Sequence, residues 1–451
     1  MNAPTPDSAT LLACAREILD LNWMGHFTVP AQRQYPYQWS WDSAFIAIGY
    51  ARYDLWRAVE ELRALFAAQW ADGRVPHIVF HNADPATPYF PGPGFWQVER
   101  SPHAPSSLAT SGIVQPPVHA TAVYSLYQYA LACDPASPLR AQALTAVAEL
   151  FPCLCAWHDY LYRERDPRGE GLVAILHPWE SGQDNSPLWD PVLQRMDLRP
   201  EEIPPYKRAD TGAVNAAERP LDFDYDRYIY LVDFFRQRDF DDRRIIAEGC
   251  PFVVQDVLFN TLLCRAEQDL AALAALFGAD PAPFLARAAR TAAAINRKLW
   301  DEQRGYYADF DLGTGTAIPM PALAGFTPLY ARIPDAPRAA RLLDYFGSPA
   351  FGLGLQDTGG YPASSYDRFA SGYSPRRYWR GPVWIQMNWL LMHGLRDYGY
   401  TLEAERLRRA IIELPQIGGF REYFDPETGA GYGAEAFSWT AALLIDVLAE
   451  A

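Results

Sequence analysis

An all-α barrel of paired helices is the fold this sequence predicts, on three observations. About a dozen segments carry the helical apolar period, and most come in consecutive pairs. Strand-like alternation is confined to short pieces around residues 75–80 and 172–176. Between the pairs lie long loops rich in Trp, Tyr, His and carboxylates, too aromatic to be disordered and too long to be mere connections. An α-solenoid is the competing architecture, because no sequence repeat shows how the pairs close.

Taken in order, the first helix is expected over residues 9–22, capped by Ser8 or Asp7. Helices over 41–51 and 54–70 follow, the second with Leu55, Val59, Leu62, Leu65 and Phe66 on one stripe. After a helix at 118–133, Ser137-Pro138 offers an N-cap and a first-turn proline to the next. That helix carries Leu144, Val147, Phe151, Leu154 and Leu161 on one face, and Pro152 should kink it. Residues 226–238 read as helix. So do 254–277, with Val254, Val257, Thr261, Leu270, Leu273 and Phe277 near one face and Gly278 as the stop. Asp280-Pro281 opens another, with Ala288, Ala292, Ile295 and Leu299 inward. A helix at 321–331, one capped by Asp335 and ending at Phe346-Gly347, and three over 382–398, 401–414 and 437–449 complete the series.

The loops cover residues 76–117, 162–225, 352–381 and 415–433. Loops on a rigid scaffold are where catalytic groups collect, so a site built from several of them at one end of the barrel is expected.

Composition narrows the function. The chain has 451 residues and no Gly/Ser-rich or charge-run linker, so residues 1–451 are expected to form one catalytic domain. A net charge of -15 without any basic stripe excludes nucleic acid as a partner. The six cysteines show neither zinc-ribbon nor CxxC spacing and read as buried, reduced thiols. Leu11-Leu12-Ala13-Cys14 superficially resembles a lipoprotein cleavage box but lacks the basic and long apolar stretches of a signal peptide. No window of roughly 18 apolar residues is seen, so no membrane is expected as partner and a cytoplasmic location is. The 14 Trp and 26 Tyr suit a large core and a sugar-binding cleft alike.

Four constellations carry the chemistry. The segment from His177 to Ser186, HPWESGQDNS, has no apolar period and packs carboxylates, an indole, an imidazole and amides around Gly182. A catalytic acid there needs a raised pKa from partial burial. Asp184, beside Gly182 and Asn185, is better placed to meet a ligand than Glu180, which follows Trp179 and could brace the loop. In Tyr35-Pro36-Tyr37-Gln38-Trp39-Ser40-Trp41-Asp42, alternating indoles precede a carboxylate able to accept from vicinal hydroxyls; equally, Ser40 or Asp42 could cap a helix. In Arg219-Pro220-Leu221-Asp222-Phe223-Asp224-Tyr225, the arginine and tyrosine could bind an anion, or the arginine could pair with a local aspartate. Finally, Arg377-Tyr378-Trp379-Arg380-Gly381-Pro382-Val383-Trp384 and Glu422-Tyr423-Phe424-Asp425 bring aromatics and a second carboxylate, with 425–429 as a turn. Two carboxylates from distant loops are what hydrolysis of a glycosidic bond requires. Metal readings are weaker: His77 and His81 lack a zincin glutamate, and the acidic runs at 222–226 and 241–242, suggestive of a magnesium cluster, are interrupted by aromatics and arginines.

The segments QWSWDSAF, HPWESGQDNSP, RPLDFDYDRYIYLV, RYWRGPVW, EYFDPETGAGYG and FSWTAALLIDV together resemble glycoside hydrolase family 63, and within it the bacterial mannosylglycerate and glucosylglycerate hydrolases, from about residue 20 to the C-terminus. The resemblance implies an (α/α)6 barrel with long active-site loops at one end, an inverting α-glycosidase mechanism and no cofactor. It implies Asp184 as general acid and Glu422 as general base, with Tyr35, Trp39, Trp41, Asp42, Gln115, Tyr378, Trp379 and Trp384 around the sugar. Arg219 and Tyr225 match positions that hold a glycerate carboxylate, and Tyr89 and Trp179 complete the expected substrate-binding set. Gln183 departs from the methionine usual before the acid. The expected activity is hydrolysis of glucosylglycerate or mannosylglycerate; the alternatives are an α-glucosidase acting on a neutral disaccharide and a non-catalytic sugar-binding protein. The expected partner is the small-molecule glycoside, with homo-oligomer formation left open.

Overall fold

The computed structural model describes residues 7–81, 89–212, 214–354 and 360–450; parts of three of the expected loops, at 82–88, 213 and 355–359, lie outside the described residues. The longer helices are α1 (Ser8–Asn22), α2 (Ser40–Ala51), α3 (Leu55–Phe66), α4 (His119–Ala132), α5 (Pro138–Glu164), α6 (Asp222–Arg236), α7 (Val257–Leu276), α8 (Ala282–Ala294), α9 (Ala336–Phe346), α10 (Ile385–Asp397), α11 (Thr401–Gly418) and α12 (Ser438–Leu448). A 3-10 segment, Leu323–Leu329, precedes α9.

Their contacts close a ring. Going round it, α2 packs on α4, α4 on α7, α7 on Leu323–Leu329, that segment on α10, α10 on α12, and α12 back on α2. Outside it, α3 packs on α2, α5 on α4, α8 on α7, α9 on the 3-10 segment, α11 on α10 and α1 on α12. Chain order alternates outer and inner members, which is an (α/α)6 barrel; α6 stands apart, in the excursion between α5 and α7. The two rings differ as burial demands. Every residue of α2 is buried, and α12 is buried from Ser438 to Val447, whereas outer α1 buries only Leu11, Ala15, Leu19 and Asn22, one stripe at helical spacing.

Several expected boundaries shift. Asp7, Asp54 and Asp335 cap their helices through the amides of Thr10, Arg57 and Arg338, but Ser137 makes no side-chain cap bond. α6 begins at Asp222, four residues before the expected start. The helix expected from Val254 begins at Val257, because Val254–Gln255 pairs as a strand with Phe310–Asp311. Pro328 removes a donor from the expected 321–331 helix, which is the 3-10 segment instead. α11 runs past 414 through Pro415 to Gly418, and a hairpin of Arg421–Phe424 with Gly431–Glu435 replaces the rest of the fourth loop. Ser40 and Asp42 do not cap α2; Ser40 Oγ bonds His119 Nε2 instead. All six cysteines are free as expected, yet only Cys250 and Cys264 are buried and the other four are half-buried. The sequence reading also passed over α5, which by length and composition is apolar enough to cross a membrane; here it packs on α3, α4 and α7 as an outer barrel helix.

Candidate active site

Because each outer helix returns the chain, the inner helices enter the barrel in one sense, and the segments before them gather at one end. Tyr35 to Trp39 lead into α2, Gln115 precedes α4, Arg377 to Trp384 lead into α10, and the hairpin carrying Glu422 precedes α12. The Asp184 loop reaches the same end from the α5–α6 excursion.

That loop is fixed by its other carboxylate. Glu180 is fully buried, accepts from both terminal nitrogens of Arg165 at 2.8 Å, and takes the amides of Leu176 at 2.6 Å and Val114 at 3.2 Å. Arg165 also pairs with Asp242, which Arg74 and Tyr160 contact in turn. Glu180 therefore braces the loop, as the sequence suggested, and ties it to the segment before Gln115. Gly182 has φ +70°, and a β-carbon there would lie 2.6 Å from the Trp41 ring, so glycine alone lets the loop lie against the indole. The Tyr228 hydroxyl donates to the Asp184 carbonyl at 2.8 Å, and Asn185 Oδ1 accepts from the Trp379 amide at 3.0 Å.

Two chambers open from this end. The inner one, about 330 Å³, is lined by Tyr35, Trp39, Trp41, Asp42, Gln115, Asp184, Tyr378, Trp379, Trp384 and Glu422. The outer one, about 940 Å³, is lined among others by Tyr35, Trp39, Tyr89, Trp179, Asp184, Arg219, Tyr225 and Tyr378. Every residue expected at the site is thus brought to one chamber or the other, and Tyr35, Trp39, Asp184 and Tyr378 stand where the two meet. The sequence reading missed Pro30, Gly182, Phe437 and Trp439 as inner walls, and Gln34, His77, Phe90 and Asp210 as outer ones. Trp439 was legible only as a helix-core aromatic, and Asp210 sits in a stretch without pattern. Trp379 and Trp384 stack at 3.9 Å, 3° from parallel, giving a flat aromatic wall of the kind a sugar face prefers.

The carboxylates are differently placed. Burial raises Asp184 to about 7, with Arg219 and a 3.2 Å hydrogen bond from Tyr378 acting against the rise. Burial also raises Glu422, but its ionised form has more support: Arg219 Nη1 at 3.6 Å, the Ala434 amide at 2.9 Å and the Tyr35 hydroxyl at 2.7 Å. Asp42 is raised well above its ordinary value, first by burial and then by the charge of Glu422.

Arg219 is buried and reaches across the chain. It donates through Nη2 to Tyr35 at 2.8 Å, and its Nε lies 3.8 Å from Asp210. The expected alternative of a local pair with Asp222 or Asp224 is not what forms: Asp222 pairs with Arg208, and Asp224 accepts from the Leu221 amide. Nε and Nη1 make no hydrogen bond among the described residues, though each stands against a carboxylate, Asp210 and Glu422. Tyr225 lies nearby, stacked on Tyr206 with Arg208 over its ring.

Several side chains of the acidic and histidine runs have protein partners. Asp241 caps the short helix Asp242–Ala247, and Asp242 belongs to the Arg165 network. His77 meets Ser111, and His81 meets Gln38. Among the described residues one group has metal-like spacing, His393 with Asp446 and Glu450, but Arg52 and Arg396 already hold its carboxylates.

The family model described as "Mannosylglycerate hydrolase MGH1-like glycoside hydrolase domain" matches residues 35–440. A mannosylglycerate hydrolase of Rubrobacter radiotolerans is 54% identical over 446 residues, 99% of this chain and 98% of the relative. A glucosylglycerate hydrolase of Mycolicibacterium hassiacum is 35% identical, with 99% of each chain covered. Among solved structures, the GH63 mannosylglycerate hydrolase of Thermus thermophilus in complex with Tris and D-glycerate superposes with a TM-score of 0.87 at 45% identity, covering 97% of this chain and 99% of that one. With a family match across most of its length and two carboxylates at the mouth of an (α/α)6 barrel, the chain belongs to the mannosylglycerate hydrolase MGH1-like glycoside hydrolases of family 63.

Proposed function

We propose that this glycoside hydrolase cleaves a hexosylglycerate, mannosylglycerate ahead of glucosylglycerate, with inversion at the anomeric carbon. The observation that carries the reading is the position of Asp184, which borders both chambers while Glu422 lines only the inner one. A hexose in the inner chamber and a glycerate in the outer one would put the glycosidic oxygen at Asp184. The Arg219 guanidinium on the wall of the outer chamber suits the glycerate carboxylate, which must be desolvated and needs a cationic partner. The order of the two sugars follows the relatives, since those named for mannosylglycerate reach 54% identity and the one named for glucosylglycerate 35%.

In this reaction Asp184, kept protonated near neutral pH, gives its proton to the departing glycerate oxygen. Glu422 draws a proton from a water on the opposite face as that water attacks the anomeric carbon. The C–O bond to glycerate breaks, and the hexose leaves as the inverted anomer. The test is release of hexose from mannosylglycerate, glucosylglycerate, trehalose, sucrose and kojibiose at equal concentration. Mannosylglycerate should be hydrolysed fastest, with the β-anomer first by proton NMR. A neutral disaccharide cleaved as fast as either hexosylglycerate would overturn the substrate, and an α-anomer appearing first would overturn the inversion.

A further inference from the structure

Asp184 and Glu422 are joined through two phenols. The Tyr378 hydroxyl donates to Asp184 Oδ2 at 3.2 Å, the Tyr378 and Tyr35 oxygens lie 3.4 Å apart, and Tyr35 donates to Glu422 Oε1 at 2.7 Å. Both rings are buried, and Glu422 is 1% exposed. Its Oε2 takes the Ala434 amide, so Tyr35 is its one hydroxyl partner among the described residues.

An inverting turnover leaves such a pair in the wrong protonation state. The acid has lost its proton to the leaving oxygen and the base has gained one from water, so the next turnover needs a proton moved from base to acid. Resting on the assignment of Asp184 as acid and Glu422 as base, we propose that Tyr35 and Tyr378 form an internal relay that returns this proton. Protonated Glu422 gives its proton to the Tyr35 oxygen while the Tyr35 proton passes to Tyr378 and the Tyr378 proton to Asp184. Three O–H bonds form as three break, both phenols end neutral, and only the carboxyls have exchanged states.

The surroundings favour this movement. Arg219 holds the Tyr35 oxygen from Nη2 at 2.8 Å and stands 3.6 Å from Glu422, so negative charge is better supported on Glu422 than on Asp184, which has a single phenol donor. Burial disfavours the phenoxide of either tyrosine, which requires the hops to be concerted.

Rapid-quench kinetics with saturating mannosylglycerate test the relay in Tyr35→Phe and Tyr378→Phe, which keep the rings and remove one hydroxyl each. The first turnover, starting from protonated Asp184, is the reference within each variant, since both hydroxyls also touch the carboxyls of the site and their loss lowers that step too. Later turnovers should run at least about tenfold slower, giving a burst of one product equivalent per site that wild type lacks. More buffer should speed the slow phase, because solvent acids then reload Asp184. If the tyrosines only position substrate, first and later turnovers fall together with no burst; that result, or two unchanged phases, overturns the relay. The unmodified enzyme gives a second reading: its turnover should not depend on buffer concentration at fixed pH and ionic strength, and a clear dependence overturns the relay without any variant. Failure of the underlying assignment looks different, since Asp184→Asn and Glu422→Gln would then keep a near-normal first turnover.

Discussion

Arg219 stands 3.6 Å from Glu422 through Nη1, so the cation that suits a glycerate carboxylate also supports the ionised form of the second carboxylate of the site. Replacing it should therefore act in two ways. Arg219→Ala should lower hydrolysis of mannosylglycerate about ten- to a hundredfold more than that of a neutral α-glycoside, the worth of a charged hydrogen bond. It should also impair the neutral substrate at low pH, because without the cation Glu422 ionises at higher pH and the acid limb of kcat/KM moves up. Equal losses on both substrates with an unmoved limb would remove Arg219 from both roles.

The pH dependence has a definite sign. Asp184 is raised to about 7, chiefly by burial, so kcat/KM should fall above about pH 7 as the acid loses its proton. Asp184→Asn and Glu422→Gln should each cost at least about two orders of magnitude in turnover while folding survives. A carboxyl whose folded-state pKa is raised stabilises fully below its unfolded value and loses that contribution as pH rises through the folded one. Asp184→Asn should therefore gain thermal stability relative to wild type between about pH 4 and pH 7. A constant difference across that window would show that Asp184 is not held protonated by the fold.

The bracing of the Asp184 loop is separately testable. Glu180→Ala leaves buried Arg165 without its bidentate partner and strips the Val114 and Leu176 amides of theirs. Removing one member of a buried pair costs about 3–5 kcal/mol, which urea denaturation would resolve. Turnover should fall more than KM rises, because the loop that aims Asp184 loosens while the Trp379–Trp384 wall stays. A variant as stable as wild type would mean that Asp242 alone satisfies Arg165.

Much of this was legible in the chain, and the reason is the short range of the signals. Asp7 and Asp335 announce helix starts within three residues, and the apolar stripe of an outer helix such as α1 follows from a single window. The HPWESGQDNS and EYFDP segments hold the two carboxylates for the same reason. What escaped depends on distance along the chain. Arg219 is legible as an anion binder or a local ion-pair partner, but its contacts with Tyr35 and Glu422 join segments far apart in the chain and leave no local sign. The hairpin at 421–435 escaped because its strands are short and its turn is rich in Gly, Pro and Asp, which reads as loop. Trp439, two residues into an apolar helix, gives no sign that its ring faces the chamber.

Gly433 offers the sharpest test of how Glu422 is held. It has φ +69°, and a β-carbon there would overlap Glu422 Oε2 and lie 2.5 Å from the Tyr423 ring. Gly433→Ala should push the carboxylate from its position between the Ala434 amide and Tyr35, lowering kcat at least about tenfold with little change in KM, because the sugar walls lie on other loops. Backbone strain alone costs about 1–3 kcal/mol and needs a control. Gly429, in the turn of the same hairpin, has φ +73°, and its β-carbon would meet Tyr361 at 2.8 Å rather than Glu422. Gly429→Ala should therefore lose comparable stability but keep turnover. If both variants lose kcat alike, the loss belongs to the hairpin as a whole; if only Gly433→Ala does, it belongs to the placement of Glu422.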